Sequence, residues 1–211
     1  MPKRKIPLVS GAYYHVFNRG NDRGNIFFDA ADYVRFLGKI CQYHEEYPLE
    51  IFSFSLLPNH FHFLVQQTSL EFPISKFFGV LLNSHSRYIN TKYERVGHAV
   101  QGRFKANPVL TDESFLQVSR YIHLNSIKEL ILEPRFIRRG DSRNLNSALR
   151  LKLHNYPWSS YRYIANKQEP VPSFLNLGGL LSVAGGLRNY RKFVEAKIFV
   201  DDIHNLDTLN V

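Results

Sequence analysis

The stretch from Leu49 to Gln67 reads LEIFSFSLLPNHFHFLVQQ and decides the fold. Apolar residues alternate with other side chains in its first half and again in its second half, which is the period of a β-strand. Pro58 and Asn59 stand between the two halves and are common turn formers. The stretch therefore predicts a β-hairpin with one strand on each side of the turn.

The segments on either side of this hairpin predict the remaining elements. Tyr13 to Arg19 alternates like a strand. Apolar residues at helical spacing follow Asp29, a suitable N-cap, and a second amphipathic helix is predicted from Ile74 to Tyr93. Gly102 to Leu110 resembles a short basic strand, and a further helix begins at Thr111 or Asp112 and runs to about Leu130. The order is that of ferredoxin-like folds.

We therefore expect an α+β fold, in which an antiparallel sheet carries helices on one face and a further helix and a C-terminal extension are added. Residues 1–130 form the predicted main domain. Residues 131 to 155 are rich in Arg, Asn and Pro and lack clean periodicity, which indicates a long basic connection. With the aromatic motif that ends at Tyr163, residues 131–163 are expected to pack on the domain. Residues 164–211, with a helix expected around Tyr190 to Lys197, form an extension of open role: it could guide the flank of a bound partner, cover the site or cap the sheet.

The composition points to a polyanionic partner. The 211 residues are 44% hydrophobic, which suffices for one compact domain and a modest appendage. Lys and Arg number 27 against 18 Asp and Glu, so the net charge is +9 and nucleic acid is the leading partner, although a basic enzyme of another kind stays open. The single cysteine, Cys41, excludes an internal disulfide and a thiolate zinc cluster. No apolar run approaches the roughly 20 residues of a membrane span, and Met1 to Lys5 lacks the apolar core of a secretory signal, so we expect a cytoplasmic protein.

His60 and His62 stand two residues apart on a predicted strand, so both imidazoles leave the same face of the sheet. Their Cα atoms are expected roughly 6.5 Å apart, which allows one metal ion to bind between them. Imidazoles completed by oxygen ligands suit Mn, Mg or Zn. On spacing alone, two structural histidines are the simpler explanation.

A polar stripe runs along the helix predicted from Asp112, and its members are Gln117, Tyr121, Asn125 and Lys128. Apolar residues flank it on both sides, which is typical of a partly covered cleft. There the phenol of Tyr121 could act as a nucleophile and the amide oxygen of Asn125 as a further metal ligand. Packing, or a hydrogen bond within the helix, explains each residue alone.

A phenol with a pKa of about 10 attacks poorly at neutral pH. A metal ion bound to the phosphate would polarise phosphorus and offset the developing charge. Because a covalent phosphotyrosine keeps the energy of the broken bond, the strand could then be joined elsewhere.

These residues resemble the motifs of a known family. Residues 58–65, PNHFHFLV, resemble the His-hydrophobic-His signature of HUH endonucleases, and residues 121–125, YIHLN, resemble the tyrosine helix of single-tyrosine, insertion-sequence-200-like transposases. The chain resembles REP-associated tyrosine transposases in particular. Further matching segments are Tyr14 to Gly20, Gln101 to Lys105 and Trp158 to Tyr161.

The resemblance implies an RRM-like or ferredoxin-like catalytic domain with Mg²⁺ or Mn²⁺ on His60 and His62, and Asn125 on the helix stripe is the candidate for a further ligand. It implies cleavage and rejoining of single-stranded DNA beside a palindromic hairpin, through a 5′-phosphotyrosine at Tyr121. No small-molecule cofactor or membrane partner is expected, and the protein is a monomer or a homodimer. The family often has proline after the asparagine of the tyrosine motif. Here Ser126 follows Asn125, which predicts that the helix continues.

Charge and aromatic placement suggest further DNA contacts. The candidates are Arg19, Arg23, Arg87, Arg103, Lys105 and Arg120. We expect about half of them to touch DNA, since basic residues are often only solvated. His15 is interpreted as a hydrogen-bonding residue at the core edge, and Trp158 as a packing residue.

Two other functions stay open. A domesticated hairpin-binding protein could use the same sheet without cleaving DNA. A metal-dependent phosphoesterase could use water as the nucleophile, with Tyr121 as a structural residue.

Overall fold

The computed structural model describes residues 7–69, 71, 74–131, 142–166 and 169–198. This part of the chain contains four strands and seven α-helices. In chain order they are β1 (Tyr13–Arg19), α1 (Ala30–Glu46), β2 (Glu50–Leu57), β3 (His60–Gln66), α2 (Ile74–Lys92), β4 (Lys105–Val109), α3 (Asp112–Ile131), α4 (Ser142–Asn155), α5 (Arg162–Ala165), α6 (Leu177–Val183) and α7 (Leu187–Glu195). The predicted order of elements from β1 to α3 is confirmed.

The four strands form one antiparallel sheet in the order β2-β3-β1-β4. β2 and β3 are the predicted hairpin, and β1 and β3 occupy the centre of the sheet. Alternation along β3 sends Phe61, Phe63 and Val65 to one face, where all three are fully buried. His60 and His62 therefore lie on the opposite face. The predicted ferredoxin-like fold is confirmed.

The helices α1 and α2 cover the face that carries Phe61 and Phe63. α1 begins at Asp29, whose side chain accepts from the Asp32 backbone while the Asp32 side chain accepts from the Asp29 backbone. The rings of Phe36 and Phe61 lie 6.0 Å apart between centroids, and the two helices and the sheet share one apolar core. This layer leaves free the other face of the sheet, which carries His60 and His62.

The helix α3 packs on that other face, mainly over β2 and β3. Ile122 and Leu124 are fully buried in a second core that also includes Leu64 of β3 and Tyr190 of α7. On β4 the second core includes Val109 but not Lys105 at the other end of the strand, which is exposed. One end of this face is therefore left uncovered.

The prediction of a long connection over residues 131–155 is wrong for its second half, because Ser142–Asn155 is the helix α4. Leu149 and Leu153 are fully buried one turn apart, and the charged residues around them hide this short apolar stripe in the sequence. Residues 132–141 lie outside the described residues. The helix predicted around Tyr190 is present as α7, although it begins and ends earlier in the chain. Residues 199–211 also lie outside the described residues.

Trp158 has the predicted packing role. Its ring stacks on that of Tyr33 at a centroid distance of 4.5 Å and an interplanar angle of 7°. The motif around it is tied to β2, since the Trp158 carbonyl accepts from the Leu56 backbone N–H at 2.9 Å. The segment is therefore part of the domain's packing.

Among the helices of the described residues, none has the length and apolar character that a bilayer crossing requires.

The buried histidines of the two cores predict acid sensitivity. Burial lowers the pKa of His85 to about 4 and that of His123 to about 3. In the unfolded chain a histidine has a pKa near 6.5, so the unfolded state binds more protons below that pH. Between pH 7 and pH 5 the free energy of unfolding should fall by roughly 1 to 2 kcal/mol for each such histidine.

Urea unfolding at the two pH values measures this effect. The variant His98→Gln, which changes an exposed side chain, should show the same fall as the native chain. Equal stability of the native chain at pH 5 and pH 7 would contradict the prediction.

Candidate active site

The register of the sheet places two histidines beside one end of β1. Arg19 pairs with His60 and Phe17 pairs with His62 across the β1–β3 ladder, so these four side chains share a face. The two imidazole rings are 5.1 Å apart between centroids and nearly perpendicular. His60 is half-buried, and His62 is 6% exposed. The pair predicted from the spacing thus lies together on one surface.

His15 contacts this pair from the neighbouring strand. Its Nε2 lies 2.9 Å from Nδ1 of His62, and its side chain is buried. A histidine that ligates a metal through one ring nitrogen commonly donates its other N–H to a neighbour, which fixes the tautomer. With the His62 Nδ1–H donated to His15, Nε2 of His62 keeps its lone pair. His15 is therefore a buried hydrogen-bonding residue, as expected, and it orients His62.

Both imidazoles are neutral at pH 7. Burial, together with the charges of Lys128 and Arg19, lowers the pKa of His60 to about 4. Burial is also the largest cause that lowers the pKa of His62 well below its ordinary value, and the neighbouring His15, His60 and Lys128 contribute further. Neutral imidazoles have a lone pair for a metal ion, whereas protonated ones do not.

Tyr121 extends from α3 toward the histidines. Its ring centroid lies 5.4 Å from that of His62 and 5.7 Å from that of His15, with both pairs nearly perpendicular. The ring is half-buried. One turn later, Asn125 donates from Nδ2 to the Tyr121 carbonyl at 2.7 Å. The helix continues past Asn125, in agreement with the prediction from Ser126.

A cleft of about 920 Å³ brings these side chains together. Its lining residues are Phe17, Asn18, Arg19, Arg23, Asn59, His60, His62, Gln101, Lys105, Tyr121, Asn125 and Lys128. Four of them are cationic and none is an Asp or Glu, so the cleft attracts polyanions. Three of the predicted DNA-contacting residues are here, namely Arg19, Arg23 and Lys105.

The other three predicted DNA-contacting residues do not line the cleft. Arg120 faces the C-terminal helix, where its guanidinium lies 4.2 Å from the ring centroid of Phe193 and bonds to Gln117. Arg87 is exposed on α2, in the layer on the opposite face of the sheet. Arg103 is exposed in the turn before β4. Proximity to Tyr121 in sequence therefore does not place Arg120 in the cleft.

Several polar residues of the cleft are not among those predicted from the sequence. Asn18 lies in β1 and Gln101 in the turn before β4, where Gln101 accepts from Nε of Arg19 at 2.8 Å. Lys128, a member of the predicted helix stripe, also lines the cleft. Its position three residues after Asn125, on the same face of α3, is the sequence signal for this placement.

A chain of buried hydrogen bonds fixes α3 against the sheet. The Phe54 backbone N–H of β2 donates to Oγ of Ser160 at 2.9 Å, and Ser160 Oγ lies 2.8 Å from Nε2 of His123 on α3. The other ring nitrogen of His123 lies 2.9 Å from the Tyr190 hydroxyl, which also bonds to Ser119 at 2.8 Å. The four side chains have no exposed surface. The C-terminal extension thus holds the helix that carries Tyr121.

A ferredoxin-like sheet that opens into a cation-lined cleft has the architecture of a nucleic-acid-binding protein. The family model described as Transposase IS200 like matches residues 8–125, more than half of the chain. The chain belongs to this transposase family.

Among solved structures, the chain is similar to a REP-associated tyrosine transposase bound to a REP hairpin. The TM-score is 0.56 at 16% sequence identity, and the match covers 84% of this chain and 93% of that chain. At this identity the likeness shows a shared fold. A comparison with curated protein sequences found no match.

The buried hydrogen bonds predict that Tyr190→Phe destabilises the protein. The change removes only a hydroxyl, but it takes away a partner of His123 and Ser119 in a fully buried site. Such a loss costs about 1 to 3 kcal/mol of unfolding free energy. Urea denaturation measures it, and Tyr43→Phe, on a half-buried ring of α1, should stay within about 0.5 kcal/mol of the native value. A neutral Tyr190→Phe would show that these bonds do not hold α3.

Proposed function

We propose that this transposase cleaves single-stranded DNA beside a hairpin and rejoins it through a 5′-phosphotyrosine at Tyr121, with a divalent metal ion. The observation that carries the proposal is the meeting of Tyr121, His60 and His62 of one chain at one basic cleft. Family membership supports a transposase, and the relative solved with a REP hairpin supports a hairpin substrate.

The cleavage step follows from the position of the phenol. The Tyr121 oxygen would attack the phosphorus, the bond from phosphorus to the 3′ oxygen would break, and the 5′ phosphate would stay on the tyrosine. The phenol gives up one proton and the departing 3′ oxygen gains one, so the step is balanced. Attack on the phosphotyrosine by another 3′ hydroxyl reverses these changes and joins a new pair of ends.

The potential ligands in the cleft suit a hard divalent ion that keeps part of its coordination shell open for the substrate. His60 and His62 offer neutral imidazoles, and Asn125 lines the same cleft with its amide. Among the described residues no group of three or more His, Cys, Asp or Glu could hold a metal ion, so phosphate oxygens and water would complete the shell. Mg²⁺ or Mn²⁺ bound there would polarise the phosphate and offset charge on the 3′ oxygen.

The cations of the cleft would position the DNA backbone. Arg19, Lys105 and Lys128 line the same space as the phenol, and contacts of this kind fix the register of a strand without reading its sequence. Their number implies that binding weakens steeply as salt rises.

The covalent product tests the proposed nucleophile. A 5′-phosphotyrosine links the protein to the fragment on the 3′ side of the cut, so a hairpin oligonucleotide labelled at its 3′ end should give a labelled adduct. We expect the adduct from the native chain with Mg²⁺ or Mn²⁺ on denaturing electrophoresis. Tyr121→Phe should give none, because the ring stays but the nucleophilic oxygen is gone.

Tyr43→Phe is the matched control and should form the adduct at the native rate. Cleavage that survives in Tyr121→Phe would sink the proposal in favour of a phosphoesterase that uses water. Tight hairpin binding without any cleavage by the native chain would instead indicate a domesticated binding protein.

The geometry also predicts that Tyr121 acts in cis, together with His60 and His62 of its own chain. Ring centroids of Tyr121 and His62 lie 5.4 Å apart within one chain, and buried bonds hold α3 in place. A mixture of Tyr121→Phe with the double variant His60→Ala and His62→Ala should therefore stay inactive in the adduct assay. Activity that returns on mixing, beyond that of either variant alone, would show that the tyrosine is exchanged between two chains.

A further inference from the structure

A second, smaller cavity of about 260 Å³ lies on the other side of Tyr121. Its lining residues are His15, Thr111, Glu113, Ser114, Gln117, Val118 and Tyr121. Tyr121 is the residue that lines both this cavity and the cleft. If a DNA strand brings a phosphate from the cleft to the phenol, the second cavity therefore has space for one further chemical group of that strand beyond Tyr121.

The helix α3 connects the two spaces. Glu113, Gln117, Tyr121 and Asn125 follow one another at four-residue intervals and share one face of the helix. Asn125 lies in the cleft and the two earlier residues lie in the second cavity, with Tyr121 between them. The second cavity is thus next to the proposed reaction site, with Tyr121 in the wall of both.

The charge of the second cavity is opposite to that of the cleft. Its lining has no Lys or Arg and one carboxylate, Glu113. This carboxylate repels a phosphate. It favours a neutral group whose N–H donors can bond to it.

The side chain of Gln117 is held by its neighbours. Its carbonyl accepts from Arg120, and Arg120 is itself fixed by stacking on Phe193 at 4.2 Å. With one lone pair of its carbonyl taken by Arg120, Gln117 can offer a ligand the two N–H donors of its amide nitrogen and the remaining lone pair. Beside it, Glu113 offers an acceptor.

We propose that this cavity binds one unpaired nucleobase of the DNA, next to the phosphate attacked by Tyr121, and that Glu113 and Gln117 select the base. The inference rests on the proposed function. Pockets for drug-sized ligands span about 300 to 1,000 Å³, so a cavity of 260 Å³ suits a single ring system. A carboxylate acceptor favours bases with an exocyclic amino group over thymine, which has none.

Oligonucleotides with a changed base test the cavity. Each unpaired position beside the hairpin is replaced in turn by the four bases and by an abasic site. We expect one position where thymine or an abasic site lowers kcat/KM for adduct formation by about tenfold in the native chain. In Glu113→Gln the ratio of kcat/KM between the best base and thymine at that position should fall toward unity.

Asp112→Asn is the matched control, since it removes the same charge one residue away on a side chain outside the cavity. It should keep the native preference. Thermal melting of both variants checks that each is folded like the native chain.

Binding without divalent metal separates this inference from the proposed function. The Kd of the same oligonucleotides should show the same position and the same preference, even if the native chain forms no adduct. Equal Kd for every base and for an abasic site at all positions overturns the cavity's role. An equal increase in affinity for all oligonucleotides in Glu113→Gln also overturns the cavity's role, because the carboxylate would then only repel the DNA backbone.

Discussion

The site depends on the buried hydrogen bonds that join α3 to β2. Phe54, His123, Ser160 and Tyr190 belong to four separate stretches of sequence, yet they form one continuous chain of buried polar contacts. Buried polar groups are costly unless all are paired, so this arrangement tolerates few alternative positions of the helix. The Tyr121 phenol is thereby set against histidines that belong to the sheet. Reactions that need an aligned nucleophile gain most from such fixed placement.

Much of this fold could be predicted from the sequence because its strands and main helices carry clear periodicity. The alternation in residues 49–67 predicts the two strands of the hairpin, and the two-residue period of a strand places His60 and His62 on one face. The helix α4 was missed because only Leu149 and Leu153 mark its buried side within the described residues. The bond between His123 and Tyr190 joins residues 67 positions apart, and such a contact leaves no local pattern in one sequence.

Charge alone predicted a polyanionic partner but not where it binds. Arg19 and Lys105 line the cleft because the register of β1 with its neighbours brings His60 opposite Arg19, and Lys105 opposite Phe17. Arg120 is adjacent to Tyr121 in the chain, but successive residues of a helix point about 100° apart. It therefore meets Phe193 of the extension, and its stem and guanidinium support packing.

The packing of α3 explains why the polar stripe along this helix changes in charge from one end to the other. A solvent-facing stripe would mix charges along its length, whereas here Lys128 and Asn125 face a cleft of cations and Glu113 and Gln117 face a cavity without them. The change of sign occurs at Tyr121. A DNA strand alternates a charged backbone with neutral bases, so its phosphates are attracted to one side of the phenol and repelled from the other. A strand with its backbone in the cleft, as proposed, would therefore pass Tyr121 by placing a base in the cavity, and its phosphate path would end at the phenol.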